Sequence, residues 1–269
     1  MKYQEQLENF RIAISTSESA DMDMLGLSDA HLKDATVEIA RHMLALGAGI
    51  AYGGDLRKNG FSTLLYELVA RHKRDSRDGH DQIGIFSYLG WPVHSSLKVE
   101  EIEEMADALS GIAELVLLNR KGDRICADES LQVAPTILSE SDWSEGLTNM
   151  RRTMLAESQA RIVLGGRTEN YKGRMPGIAE EALFSLQTQQ PLYLVGGFGG
   201  CALDIAQSLG LSSLPNNSHP NWPGYEEFQN FASINLNNGL TLEENKILAK
   251  TPHVDQAVIL IMRGLLNAI

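Results

Sequence analysis

Two adjacent glutamates follow a glycine-bearing loop in the second half of the chain. The segment reads IVLGGRTENYKGRMPGIAEEALF, so an apolar run ends at Gly165 and Gly166, and a Pro-Gly pair precedes Glu180 and Glu181. A helix that begins at Gly177 would direct free backbone N–H groups and the positive end of its dipole toward a phosphate. A carboxylate beside a bound ligand could stabilise a positive charge, act as a nucleophile or activate water. Glu181, with Glu180 beside it, is therefore a candidate catalytic carboxylate.

The two carboxylates also have simpler explanations. Acidic residues are common in the first turn of any helix because they oppose its dipole, so Glu180 and Glu181 could be structural. They could equally accept hydrogen bonds from hydroxyl groups of a ligand without taking part in a reaction. Glu181 precedes Ala182 on the apolar stripe and is expected to face the sheet, whereas Glu180 is expected to be solvated. The residue types alone do not separate binding from catalysis.

Several cations and one aromatic residue lie near this loop in the sequence. Charge-assisted bonds to a phosphate could come from Arg151, Arg152, Arg167 or Lys172. Arg151 and Arg152 are adjacent and cannot share a helix face, so one of them is expected to be a surface charge. Arg151 is a candidate catalytic residue, and Arg167 is a candidate ligand-binding residue. Tyr171 is the aromatic residue that we expect to stack on a base.

Hydroxyl-bearing or glycine-bearing loops follow two other predicted strands. In an open parallel sheet, ligands bind beyond the carboxyl ends of the strands, where such loops converge. A lone Gly-Gly pair is more often a tight turn than a binding site, so the shared position of the loops is what favours a phosphate-containing ligand. The candidate ligand residues in these loops and in the first one are Ser15, Thr16, Ser17, Gly53, Gly54, Asp55, Gly165, Gly166 and Gly177.

Short apolar runs alternate with amphipathic segments along the chain. The runs are mostly continuous rather than alternating, which is typical of parallel strands covered on both faces. The pattern predicts an α/β fold: a Rossmann-like, mostly parallel sheet with helices on both faces. Strands are predicted at residues 11–15, 48–52, 82–87, 113–118, 160–165 and 191–195, and helices between Ser28 and Gly47 and at residues 61–72, 99–109, 144–158, 177–188 and 201–209.

The composition changes near residue 211. From there the chain is rich in Asn, Pro and Ser and lacks clear periodicity until a final apolar helical pattern, HVDQAVILIMRGLLNAI. Thr241 and Glu244 form the pattern of a capping box for a short helix. The interpretation is a Rossmann-like domain at residues 1–210 and a C-terminal extension at residues 211–269. Since an apolar helix needs a surface to bury against, the extension is expected to pack on the same domain, or to carry a dimer contact.

The bulk properties exclude several classes of protein. A net charge of −12 over 269 residues argues against a nucleic acid or an anionic membrane as the main partner. No run approaches the roughly 18 apolar residues of a membrane span, and the N-terminus lacks an apolar signal core. The two cysteines, Cys126 and Cys201, form no disulfide scaffold, which favours a reducing cytoplasm. The scattered histidines predict no metal site, and no cofactor is predicted.

Two segments carry a resemblance to a known superfamily. LALGAGIAYGGDLRKNGFSTLL resembles the LG…YGGG…GLMG segment of the SLOG superfamily, which includes the Lonely Guy phosphoribohydrolases and the lysine decarboxylase-like proteins. NMRRTMLAESQARIVLGG is similar to the helix and strand that lead into PGGxGTxxE in those enzymes. PGIAEE then corresponds to the end of that motif, after an inserted RTENYKGRM. Gly177 matches the last glycine and Glu181 the final glutamate, and Arg151 or Arg152 stands near the family arginine.

The chain also departs from the enzyme motif over the matched residues 11–206. The proline of PGG is missing after Leu164, Ile178 replaces the threonine, and the loop is longer. The chain therefore resembles the diverged prokaryotic SLOG clusters more than the enzymes. The enzymes use the glutamate and arginine around a nucleoside monophosphate. Other SLOG members, in ion channels and bacterial immune systems, bind ADP-ribose-like nucleotides as signals without cleaving them.

The resemblance implies a small-molecule nucleotide ligand and leaves three hypotheses. The first is a sensor or signalling module for an ADP-ribose or nucleoside phosphate ligand, coupled to an effector protein. The alternative is an N-glycoside hydrolase, phosphoribohydrolase-like or NAD-cleaving, that uses Glu181 with a nearby arginine. A weaker alternative is an oligomeric assembly protein. The resemblance also implies a homodimer or higher homo-oligomer.

Overall fold

One parallel sheet organises the fold. In this computed structural model, which describes residues 5–53, 60–75, 84–127, 137–216 and 220–268, six strands lie in the order β4-β3-β2-β1-β5-β6. Every neighbouring pair is parallel. The strands are β1 Arg11–Ser17, β2 Gly49–Gly53, β3 Ile85–Leu89, β4 Ala113–Leu117, β5 Ala160–Gly165 and β6 Leu192–Val195. The predicted Rossmann-like α/β fold is thereby confirmed.

The strand order reverses beside β1. The chain moves outward from β1 to β4 and then returns to the other side of β1 with β5. In doubly wound sheets this reversal leaves a crevice at the carboxyl ends of the two central strands. The helices of the described residues are α1 Asp29–Ala45, α2 Phe61–Asp75, α3 Trp91–His94, α4 Val99–Ala108, α5 Glu140–Ala156, α6 Gly177–Gln187, α7 Gly200–Ser208, α8 Leu242–Leu248 and α9 Val254–Ala268.

The two faces of the sheet have different partners. Successive side chains of a strand point to opposite faces. Ile12 and Ile14 of β1 belong to a core formed with α1, α2 and α9, whereas Ala13 packs with Met150 of α5. Val163 of β5 packs with α6 and α7. The face covered by α5, α6 and α7 is the one that carries the polar residues discussed below.

Local sequence signals explain most element boundaries. Gly47, at φ +88°, supplies the predicted left-handed stop after α1. α5 begins at Glu140, four residues earlier than expected, because the Ser139 hydroxyl accepts a hydrogen bond from Asp142 N at 3.2 Å and caps the helix. β3 runs from Ile85 to Leu89, later than the predicted 82–87, whose first two residues lie outside the described part. The four-residue helix α3 was not predicted.

The C-terminal residues pack onto the sheet. Thr241 accepts a hydrogen bond from Glu244 N at 3.3 Å, so the predicted capping box starts α8. Ile261 and Leu265 of α9 are buried in the core that contains Ile12. Tyr193 of β6 donates a hydrogen bond to the Asn238 carbonyl at 3.0 Å. Within the described residues, no helix is both long and apolar enough to cross a membrane.

Candidate functional site

A cleft of about 240 Å³ opens at the carboxyl ends of β1, β2 and β5. It lies at the position that the reversal of strand order predicts for a ligand. Its floor is formed by strand ends, and α5, α3 and the first turn of α6 form the walls. The lining residues are Ile14, Ser15, Thr16, Ser17, Tyr52, Gly53, Val93, Leu147, Met150, Arg151, Arg167, Tyr171, Gly177, Ile178 and Glu181.

Nine of the residues proposed from sequence lie together in this cleft. They come from the ends of two strands, one loop and two helices that are far apart in the chain, and they are Ser15, Thr16, Ser17, Gly53, Arg151, Arg167, Tyr171, Gly177 and Glu181. Gly165 and Gly166 lie beside the cleft without lining it. Both adopt positive φ, and a Cβ at Gly165 would lie 2.6 Å from the Ser17 carbonyl oxygen. These two glycines therefore serve the turn after β5. Gly54 and Asp55 lie outside the described residues.

The Glu181 carboxylate is held by one of its two oxygens. Oε2 accepts hydrogen bonds from the Ser15 hydroxyl and from Arg161 Nη1, the latter at 2.8 Å. Oε1 has one ion-pair contact among the described residues, at 3.7 Å to Arg151 Nε. A Cβ added to Gly53 would lie 3.7 Å from this oxygen, at van der Waals distance, so the end of β2 lies next to it. The carboxylate is therefore held in one orientation, and Glu181 lines the cleft.

Arg161 was not among the residues proposed from sequence. Its side chain projects from β5 and is fully buried. Nη1 donates to the Ser15 hydroxyl at 2.7 Å and Nε donates to the Ser185 hydroxyl at 3.2 Å. Burial lowers the pKa of Arg161 while the Glu181 carboxylate opposes that shift, and a guanidinium remains charged because its starting pKa is so high. The signal available in the sequence was a lone cation inside the apolar run ARIVLG, since buried arginine is rare unless paired.

Glu180 points away from the cleft into a second buried ion pair. Its carboxylate accepts hydrogen bonds from Arg151 Nη1 at 2.5 Å and from the Thr148 hydroxyl at 2.8 Å. The expectation that Glu180 is solvated is wrong: the residue is 1% exposed. The reason is that α5 covers the first turn of α6 and supplies both donors. Glu180 thus contacts the α5 residue that lines the cleft, and does not line it itself.

The Arg151 guanidinium lies across the N-terminus of α6. A Cβ added to Gly177 would lie 2.5 Å from Arg151 Nη2, so any larger residue there would displace the guanidinium. Arg151 is buried, and its Nε has no hydrogen-bond partner among the described residues. An unpaired buried N–H is costly and points to a group that a ligand can satisfy. Arg152, one position further, is exposed with Cζ 5.4 Å from the Phe184 ring centre.

Arg167 lies at the exposed mouth of the cleft. Its backbone N–H donates to the Ser17 hydroxyl at 3.1 Å, which ties the loop after β5 to the end of β1. Its side chain is ion-paired with Glu18 at 3.0 Å. Lys172 is directed elsewhere, with Nζ 3.3 Å from the centre of the Trp143 ring. Arg167 is therefore the loop cation that stands beside the cleft.

Tyr171 is half-buried on the loop side. Burial and the nearby Cys201 thiol raise the pKa of Tyr171, so its hydroxyl remains a hydrogen-bond donor at neutral pH. Burial also raises the pKa of the Cys201 thiol, whose Sγ lies 3.1 Å from the Arg167 carbonyl oxygen. A buried thiol with a raised pKa is an inert packing group rather than a nucleophile.

A second pocket of about 460 Å³ adjoins the cleft and shares Arg167 with it. Its lining is acidic and includes Glu18, Asp29, Glu169 and the buried carboxylate of Asp204. Burial raises the pKa of Asp204, although hydrogen bonds from Trp222 and Asn216 oppose the shift. Among the described residues, no group of three His, Cys, Asp or Glu side chains could hold a metal ion.

The buried charges of the site alternate in sign. Glu180, Arg151, Glu181 and Arg161 are linked by ion pairs of 2.5, 3.7 and 2.8 Å. Two cations balance two anions, so the network is neutral and each charge has a partner, as burial requires. Such a site can accept hydrogen bonds from hydroxyl groups at Glu181 Oε1. It can donate hydrogen bonds from the N–H groups of Arg151 and of the backbone at the start of α6.

One protein family matches most of the chain. A family model described as SLOG cluster2 matches residues 6–234. The matched region covers most of the chain, so the chain belongs to the SLOG cluster2 family, and the predicted superfamily is confirmed. The match continues past residue 206, so the first part of the C-terminal extension lies inside the family region. No curated protein matches the sequence.

Proposed function

Because the chain is a SLOG cluster2 member, we propose that its cleft binds a nucleotide-derived ligand, of nucleoside phosphate or ADP-ribose type, as a sensor or signalling module. The observation that carries the proposal is that one cleft holds both a hydrogen-bond donor and a hydrogen-bond acceptor that lack hydrogen-bond partners among the described residues. Arg151 offers a buried N–H without a partner, and Glu181 offers a carboxylate oxygen that no hydrogen bond from the described residues occupies. A phosphorylated sugar supplies phosphate oxygens that can accept a hydrogen bond from Arg151 and hydroxyl groups that can donate to Glu181.

The ligand would be held by three kinds of contact. The phosphate would lie at the N-terminus of α6, where backbone N–H groups and Arg151 are close. The ribose hydroxyls would donate to Glu181 Oε1, and the hydroxyls of Thr16 and Ser17 would bind at the edge of β1. Tyr171 would stack on the base or on a second ring.

The acidic pocket affects which nucleotides fit. A pocket of about 460 Å³ beside the cleft leaves room for a ligand larger than a mononucleotide. Its carboxylates disfavour further phosphates and favour groups that donate hydrogen bonds, such as an amino-bearing ring. The site therefore favours monophosphates and ADP-ribose-like molecules over triphosphates.

A second candidate function is cleavage of an N-glycosidic bond. The observation that favours it is the anchoring of Glu181 by Oε2 alone, which leaves Oε1 rigid and open. Such an oxygen could stabilise positive charge at the anomeric carbon as the bond to the base breaks. Water would then add its OH to that carbon, and its proton would pass to the departing base.

A sensor needs a receiver for its signal. We propose an effector protein as the partner and a homodimer or higher homo-oligomer as the assembly, as the SLOG resemblance implies. A protein that served only as an oligomeric scaffold would not need the unpaired Arg151 N–H or the open Glu181 oxygen in one cleft.

The proposal is tested by binding and turnover in one experiment. Wild type and Glu181→Ala are incubated with AMP, NAD, ADP-ribose and cyclic ADP-ribose, and melting and free base are followed together. A ligand at about one hundred times its Kd should stabilise the wild type by about 2.7 kcal/mol. A shift without products supports the sensor. Free base that is absent with Glu181→Ala supports the hydrolase, and no shift with any nucleotide contradicts both.

A further inference from the structure

We infer that Arg161 is a positioning residue, kept in the core to fix the Glu181 carboxylate so that Oε1 faces the ligand. This inference rests on the proposed function, and it assigns a role to a residue outside the cleft. Arg161 is fully buried and does not line the cleft. It acts on the ligand only through Glu181, which it contacts at 2.8 Å.

The fold makes room for this side chain. Arg161 is in register with Ala13 on β1 and Leu192 on β6. Register partners on parallel strands point to the same face, so the small Ala13 leaves space beside the long arginine. The guanidinium can therefore extend along the sheet and reach Ser15 and Glu181, which lie one layer nearer the cleft.

Stability alone does not account for Arg161. Taking a guanidinium and a carboxylate out of water costs several kcal/mol per ion, and apolar replacements of buried pairs are often neutral or stabilising. Arg161 also leaves Nη2 without a hydrogen-bond partner among the described residues. A methionine would fill similar space without this cost. The arginine is thus better explained by what it does to Glu181.

Arg161 and Ser15 together determine which oxygen is free. Both donate to Oε2, and Nη1 also donates to the Ser15 hydroxyl, so the three groups form a closed triangle. A carboxylate held at one oxygen by two donors cannot rotate without breaking both bonds. Without Arg161, the Glu181 side chain could turn toward Arg151 Nε, and Oε1 would no longer be presented to a ribose hydroxyl.

The specific readout is the preference for a ribose that carries its hydroxyls. Affinities for AMP and for 2′,3′-dideoxy-AMP are measured by calorimetry in wild type, Arg161→Met, Arg161→Lys and Glu181→Gln. A hydrogen bond to a charged group predicts that wild type prefers AMP by about ten- to a hundredfold. Arg161→Met and Glu181→Gln should lose most of this preference, and Arg161→Lys should retain part of it. Arg11→Met, which breaks the ion pair with Glu157 away from the cleft, is the matched control and should keep it.

The double variant Arg161→Met with Glu181→Gln separates positioning from folding. It should melt closer to the wild type than Arg161→Met alone, because no unpaired charge remains in the core. A double variant that melts lower than both single variants would show that the pair serves the fold and would overturn the inference. Arg161→Met that keeps the wild-type preference for AMP would also overturn it while leaving the proposed function intact. A wild type that binds neither nucleotide contradicts the proposed function itself.

Discussion

At the residue scale, two adjacent arginines have opposite surroundings, and only Arg151 lines the cleft. Arg151 is buried between the first turn of α6 and the carboxylates of Glu180 and Glu181. Arg152 is exposed beside the Phe184 ring. The helix α5 therefore places one cation in the site and the other at the surface. Substitutions at the two positions can be compared directly.

Arg151→Met should weaken nucleotide binding, because a charge-assisted hydrogen bond and a buried N–H donor are lost. The expected cost is about 1.5–3 kcal/mol, or about ten- to a hundredfold in Kd. Calorimetric titration with AMP measures it directly. Arg152→Met removes the same charge one residue away and should leave Kd within about twofold, since exposed charges contribute little. Equal effects of the two variants would contradict the assigned role of Arg151.

The sequence predicted the cleft residues better than it predicted their partners. Ser15 and Gly53 were proposed because loops at one edge of a parallel sheet converge, and Glu181 because it matches the final glutamate of the SLOG motif. The same reasoning could not identify Arg161 as the partner of Glu181, because Arg161 lies inside β5, whose other residues form a continuous apolar run. The Ser15–Glu181 contact joins residues 166 positions apart, and no local pattern encodes it. Local sequence patterns therefore predicted the loops that line the cleft, whereas the contacts between buried side chains became visible only in the folded structure.

At the element scale, the short helix α3 supports the wall of the cleft. Val93 lines the cleft, and the next residue, His94, is fully buried with Nε2 2.9 Å from the Leu118 carbonyl oxygen. Nδ1 has no hydrogen-bond partner among the described residues. Burial lowers the pKa of His94, although the bond to Leu118 opposes the shift. The neutral ring is therefore part of the packing that holds α3.

Because His94 is buried in its neutral form, the free energy of unfolding should depend on pH. The unfolded chain takes up this proton near pH 6.5, whereas the folded chain resists it, so the stabilisation is complete above about pH 6.5 and is lost as the pH falls. The loss approaches about 1.4 kcal/mol per pH unit. Denaturant unfolding from about pH 7.5 to 5 should show a shallower decline in His94→Gln than in wild type. His253→Gln, at an exposed position, is the control. Identical slopes in wild type and His94→Gln would contradict the assignment.

Element boundaries followed from capping chemistry where a strong cap was present. The Thr241 cap and the Gly47 stop were both readable in the sequence. α3 was not, because four residues are too few to show a helical period. The solvated position expected for Glu180 was wrong for a related reason: a first-turn position suggests exposure only until a neighbouring helix, here α5, covers it.

At the scale of the whole molecule, the C-terminal residues complete the main core. Ile261 of α9 is fully buried with residues of β1 and α1, whereas Ile259 on the same helix is 56% exposed. The sequence predicted that the final apolar helix needs a surface, but it did not say which one. The surface is the sheet face that also packs against α1, and no residue of α9 lines the cleft.

Ile261→Ala should therefore destabilise the whole domain. The loss of buried methyl groups and the cavity left behind predict a cost of about 2–5 kcal/mol. Ile259→Ala makes the same chemical change at an exposed position and should stay within about 0.5 kcal/mol of wild type. Denaturant unfolding of both variants provides the comparison. A single transition with Ile261→Ala close to wild type would show that α9 is dispensable for the core.

We propose that the cleft between β1, β2, β5 and α6 holds a nucleotide through Arg151 and Glu181. The most direct test is a crystal structure grown with AMP at saturating concentration. We predict a phosphate at the N-terminus of α6 with an oxygen about 2.7–3.2 Å from Arg151, and a ribose hydroxyl at the same range from Glu181 Oε1. AMP bound in the acidic pocket alone, or a saturated crystal with no nucleotide in the cleft, would contradict the claim.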